Sequence, residues 1–169
     1  MAKYITEVLK EINDDVSLFE TTYKKVGDGG PLGIVFQCAF MAEHKWLLPD
    51  GEPPFKPDKA PMGMSPVRFI QEVKKFYLFK RADLSPFKRE QMFVQLCEAV
   101  HPDEAKILIA IKDQKLTELY PNITRQVVAD AGFIPQLTPA QAKEEAAQVK
   151  KSGRPRGRPR KSDSPQPVL

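Results

Sequence analysis

Four times before residue 150 a serine, threonine or histidine able to cap a helix stands directly before a proline: Ser65-Pro66, Ser85-Pro86, His101-Pro102 and Thr138-Pro139. Proline lacks an amide hydrogen and has a fixed φ, so it suits the first turn of a helix and disrupts helix or sheet interiors. Asp103 and Glu104 add negative charge to the third of these starts, where the helix dipole favours it, and Thr138 with Gln141 has capping-box spacing. The pairs predict helices over 66–81, over 86–100, from Pro102 onward and from Pro139 onward. A further start at Pro121-Asn122 or at Thr124 predicts a short helix closed by Gly132.

The N-terminal third agrees. Tyr4, Ile5, Val8, Leu9 and Ile12 share one face of a first helix, which Asn13, Asp14 and Asp15 break. Val16, Phe19, Tyr23 and Val26 form the inward face of a second, ended by Gly27, Gly29 and Gly30. Residues 31–46, with Pro31 in the first turn and apolar side chains almost all round, predict the central helix. Residues 47–64 hold five prolines and two glycines and predict a long irregular crossing, either functional or mobile. With 169 residues and 41% apolar content, the expectation is an all-α orthogonal bundle of seven to eight helices with a disordered basic tail. The boundaries expected are a helical domain at 1–137, a projecting helix at 138–151 and the tail at 152–169.

The formal charge of +4 is unevenly placed. Residues 150–169 carry seven basic groups and one acid, which leaves 19 basic and 21 acidic groups in the rest. A polyanion therefore meets the tail first. In SGRPRGRPRKSDS, residues 152–164, glycine permits close approach to a groove floor and proline holds the backbone extended between arginines. A narrow A·T-rich minor groove accepts such arginines. Arg156-Gly157-Arg158-Pro159-Arg160-Lys161 resembles the complete AT-hook, and Ser152-Gly153-Arg154-Pro155-Arg156 is an overlapping core with serine for the first arginine. The candidate DNA-binding residues are thus Lys150, Lys151, Gly153, Arg154, Pro155, Arg156, Gly157, Arg158, Pro159, Arg160 and Lys161, and the expected partner is A·T-rich double-stranded DNA. Nonspecific binding of RNA, membrane or acidic protein is the alternative. Lipid is the weakest version, because no aromatic or amphipathic stretch lies beside the charges.

From Ser65 onward, a helix at 66–81, a polar break, a helix at 86–100 with Phe93 and Leu96, the run Pro102-Asp103-Glu104-Ala105-Lys106-Ile107-Leu108-Ile109-Ala110-Ile111, and a last short helix ending Ala131-Gly132-Phe133-Ile134-Pro135 stand in a suggestive order. That order resembles the N-terminal helical DNA-binding domain of ATP-dependent DNA ligases, over roughly 4–136. The resemblance implies a stand-alone, phage-like relative of that domain and a duplex-gripping basic turn at Lys112, Lys115 and Arg125. Independently, Lys74, Lys75, Lys80, Arg81, Lys88 and Arg89 cluster at the ends of two neighbouring helices, where they either meet phosphates or balance surface charge. Phe76, Tyr77 and Phe79 read as core, and His44, Trp46 and His101 as capping and packing residues.

Nothing converges on catalysis. Cys38 and Cys97 are 59 residues apart with no CxxC and read as buried free thiols in a reducing compartment. Gly27-Asp28-Gly29-Gly30-Pro31 lacks both the Lys-Ser/Thr of a P-loop and a preceding strand, and the ligase nucleotidyltransferase motif Lys-x-Asp-Gly is absent. No catalytic residue, cofactor or metal is expected. The start of the chain has no secretory pattern, and no apolar run approaches the roughly 18 residues of a membrane span. The expected location is intracellular, in cytoplasm or nucleoid, the host's cytoplasm for a phage-encoded chain. The expected function is non-enzymatic DNA binding in replication, repair or transcription. The alternative is an adaptor whose body binds a polymerase or other complex while the tail anchors it to DNA.

Overall fold

The computed structural model describes residues 3–23 and 30–152. All regular structure among them is helical: eight α-helices joined by 3₁₀ and π turns. The chain divides into two compact units, residues 1–136 and 137–169.

Helix α1 (Ile5–Asp14) starts where the Glu7 carboxylate accepts the Tyr4 amide at 2.9 Å, and it buries Ile5, Leu9 and Ile12. Among the described residues, the predicted second helix is a π turn at Phe19–Tyr23. Asp15 takes both the Ser17 amide (3.0 Å) and hydroxyl (2.7 Å), a local turn that competes with helix propagation. Val26, Gly27 and Gly29, expected at that helix's end, lie outside the described residues.

Helix α2 (Gly30–Phe40) stops well short of Trp46, and a 3₁₀ turn follows at Ala42–His44. Its last carbonyls are held by side chains from far along the chain. Gln114 Nε2 donates to Cys38 O (3.2 Å) and Met41 O (2.8 Å), and Arg125 donates to Phe40 O. The early stop sends Trp46 into a second aromatic group, with ring centroids 4.8 Å from Phe76, 4.8 Å from Phe79 and 5.8 Å from Phe93.

Helix α3 (Phe69–Glu72) begins later than Pro66, because the Val67 amide donates to Ala99 O at 3.1 Å and is thereby kept out of the helix, and Arg68, just before α3, is extended. It runs on as a 3₁₀ helix through Val73–Lys80. Three residues per turn place Val73, Phe76 and Phe79 on one buried edge, while Tyr77 faces outward.

The remaining starts follow their caps. Ser85 Oγ accepts the Lys88 amide (3.3 Å) at α4 (Pro86–Ala99), and His101 Nδ1 accepts the Asp103 amide (3.2 Å) at α5 (Pro102–Lys112). A short α6 (Leu116–Leu119), absent from the sequence expectation, precedes α7 (Arg125–Asp130). Thr124, not Pro121-Asn122, caps α7 through the Val127 amide at 3.3 Å. Gly132 ends α7 with φ +83°, its amide bonding Ala129 O (2.9 Å) and the Phe133 amide bonding Val128 O (3.2 Å), a Schellman closure. In the second unit, α8 (Pro139–Ser152) opens with Gln141 Oε1 accepting the Thr138 amide (3.2 Å) and hydroxyl (3.0 Å).

The hub of the core is α5, not α2. It packs against α1, α2, α4 and α6 and buries Ile107, Leu108 and Ile111, each contributing about 1.5–3 kcal/mol. Helix α2 lies on it, closed by the Phe36 ring, which is tilted against Phe19 (centroids 5.3 Å apart) and edge-to-face with Phe133 (5.4 Å).

Candidate functional site

The tail residues Gly153 to Lys161 lie outside the described residues, and Lys150 and Lys151 fall in the last turn of α8. The nine candidate cations of the body are all described.

Three of those nine are structural, which corrects their assignment to a phosphate surface. Arg89 is buried at 7% exposure, its guanidinium donating to Leu47 O (3.1 Å), Arg81 O (2.8 Å) and Leu84 O. Lys112 is buried at 2%, its ammonium held by Pro49 O (2.6 Å) and paired with Asp113. Arg125, half-buried, crosses to the C-terminal end of α2. Each directs donors to backbone carbonyls of other segments. Three more have partners of their own. Lys75 pairs with Glu72 (2.8 Å), Arg81 with Asp83, and Lys80 Nζ lies 2.7 Å from His44 Nδ1. The Lys80 ammonium can only donate, so His44 Nδ1 accepts; burial and then the Lys80 charge lower the imidazole's pKa, with Glu43 opposing them. Lys74, Lys88 and Lys115 are exposed, with no ion-pair partner among the described residues, and they sit on three different segments.

Between α4 and the proline-rich crossing lies a cleft of about 430 Å³. One wall is the outer face of α4: Phe87, Glu90, Gln91, Val94 and Gln95, spaced i, i+3, i+4, i+7 and i+8. The other is Leu48 to Pro54, and the floor is Phe93 with Lys112. The crossing keeps its place because Leu47 N bonds Phe79 O (2.9 Å), Gly51 N bonds Asp113 Oδ2 (3.3 Å) and Lys56 N bonds Glu98 Oε1 (3.1 Å). Lys112 therefore closes the cleft floor with its ammonium held by Pro49 O and Asp113. Asp50, Glu52 and Glu90 line the cleft, and Lys45 reaches Asp50 only at 3.6 Å in an exposed, weak pair.

No nucleophile faces this cleft. Burial pushes the Cys97 thiol up to about 12, with Lys112 pulling it down and Glu98 and Glu52 adding to the rise. Cys38 is likewise a buried free thiol, raised chiefly by burial. Among the described residues, no group of three or more His, Cys, Asp and Glu could hold a metal, and no helix is long and apolar enough to cross a membrane.

Sequence reasoning missed the cleft. Phe93, Leu96 and Cys97 mark the inward face of α4, and Phe87 and Val94, seven residues apart and off that stripe, were the available signal.

A family model described as a family of unknown function, DUF6433, matches residues 10–118. The chain belongs to that family. The matched span of DUF6433 runs from the middle of α1 to Glu118 in α6 and includes both walls of the cleft. Helices α7 and α8 and the Arg-Gly-Arg-Pro segment lie beyond it. No curated protein and no solved structure matches the chain.

Proposed function

We propose that this DUF6433 protein is a non-enzymatic, DNA-tethered adaptor: the tail holds A·T-rich minor groove, and the helical body carries a protein of the replication, repair or transcription machinery. The observation that carries this reading is the use of the body's cations. Arg89, Lys112 and Arg125 bind backbone carbonyls, and Lys75, Lys80 and Arg81 have side-chain partners. A ligase-like grip on duplex by the body would need Lys112, Lys115 and Arg125 together at a phosphate surface; Lys112 donates to Pro49 O and Arg125 to Phe40 O, which leaves Lys115 as the exposed member of the three. The seven basic residues after position 149 are the one dense run of positive charge in the sequence.

A tether of this kind raises the local concentration of its cargo near DNA. Neutralising five or more phosphates makes its affinity fall on the order of 10³-fold between 50 and 200 mM salt. The test is a salt series of mobility shifts with the full chain on A·T-rich and G·C-rich duplexes, beside a variant with Arg154, Arg156, Arg158 and Arg160 changed to alanine. Preference for A·T duplex, competition by distamycin and loss of the shift in the variant support the tether. Equal affinity for both duplexes, or a variant that shifts as well as the parent, sinks it.

A further inference from the structure

The adaptor reading leaves the cargo's chemistry open, and the cleft between α4 and residues 48–54 narrows it. Phe87 stands in the first turn of α4 with 76% of its surface exposed, although an aromatic ring of its size is among the most favourable groups to bury. Val94 lies two turns further along the same face. About 150 Å³ is enough to hold a benzene ring, so a cleft of about 430 Å³ has room for two apolar side chains.

The charged groups at its rim are all acidic. Asp50, Glu52 and Glu90 line the cleft, whereas Lys112 has its ammonium engaged by Pro49 O and Asp113. An anion would face three carboxylates there, with the one lining cation already engaged. Pro49, Pro53 and Pro54 contribute no amide hydrogens, so that wall cannot extend into a β-ladder with a docked strand. Recognition would have to run through apolar contact in the centre and carboxylates around it, the arrangement of an interface with an aromatic anchor and a charged rim.

From this geometry we propose that the cleft docks a basic segment of a partner protein, seating one or two of its leucine-sized or aromatic side chains against Phe87 and Val94 and its flanking lysines or arginines on Asp50, Glu52 and Glu90. The proposal rests on the adaptor reading and names the chemistry of its cargo. Complementarity of charge selects the partner, and the apolar centre supplies most of the affinity.

The test uses the full chain and three short fluorescent peptides: leucines at helical spacing among lysines, the same leucines among glutamates, and the same lysines among serines. Fluorescence anisotropy is read for the parent, Phe87→Ser and Glu90→Lys, with circular dichroism confirming that both exposed substitutions leave the fold intact. The leucine–lysine peptide is expected to bind the parent at least about tenfold more tightly than either control, and each variant is expected to weaken it by about three- to tenfold. Equal binding of the glutamate peptide overturns the proposal. So does affinity unchanged in both variants, or self-association of the parent that Phe87→Ser abolishes, which would make a second copy the occupant. A mobility shift on A·T-rich duplex runs in parallel. Peptide binding with no DNA shift keeps the cleft assignment and overturns the tether; a DNA shift with no peptide binding does the reverse.

Discussion

The chain is proline-rich twice, at 47–64 and at 152–164, and cations serve the two stretches in opposite senses. The crossing contributes carbonyls, and cations from elsewhere come to it: Arg89 to Leu47 O and Lys112 to Pro49 O. It also brings its own anchors, with Leu48 and Phe55 packed against the core. The tail brings its own arginines and has no apolar residue between Ser152 and Val168. The crossing, which has apolar anchors, recruits charge into the fold, whereas the proposed tether assigns the charge of the anchor-free tail to DNA.

Breaking the crossing at Arg89 has the largest expected effect. Arg89→Ala strips three carbonyls of their donor and should lower unfolding free energy by on the order of 4 kcal/mol in urea titration, without changing DNA affinity per folded molecule. Arg89→Lys should recover little, because one ammonium cannot span the three acceptors. The mirror experiment removes the tail's arginines: the four alanine changes should weaken A·T-duplex binding by at least about 100-fold and leave the melting temperature where it was. A melting temperature that fell with the tail variant would erase the contrast.

A smaller effect is expected at the cleft floor. Lys112→Met keeps the aliphatic stem but leaves Pro49 O without its donor and Asp113 without its cation, at about 2 kcal/mol measured in the same titration. Because the crossing loses an attachment, the leucine–lysine peptide should also bind less tightly.

The smallest expected effect separates a buried acid from the exposed ones. Burial raises the Glu104 carboxyl above its ordinary value of 4.5, partly offset by the Phe69 and His101 amides. The folded state therefore binds the proton more tightly than the unfolded chain. That contribution is complete below about pH 4.5 and is lost as pH rises through the raised pKa. Stability of the parent relative to Glu104→Gln should fall from pH 4.5 to pH 7 in paired thermal melts, and a flat difference would count against a buried, charge-averse Glu104.

The legible part of this molecule was its punctuation. Ser85, His101, Thr124 and Thr138 each make their capping contact within three residues, so a reader of the sequence needs nothing more distant to place those starts. The same local logic failed at Ser65-Pro66, where Ala99 O competes for the Val67 amide, and at the end of α2, where Gln114 and Arg125 close the helix from more than seventy residues away. Lys88 and Arg89 show the limit most sharply. They are neighbours of like charge on one helix, one exposed and the other buried among carbonyls of Leu47, Arg81 and Leu84. Helix starts, apolar stripes and the charge of the tail follow from spacings of a few residues, because caps, periodicity and net charge are local quantities. Which cation is structural, which helix is the hub and where a cleft opens depend on segments tens of residues apart meeting in space, and burial is a property of that meeting.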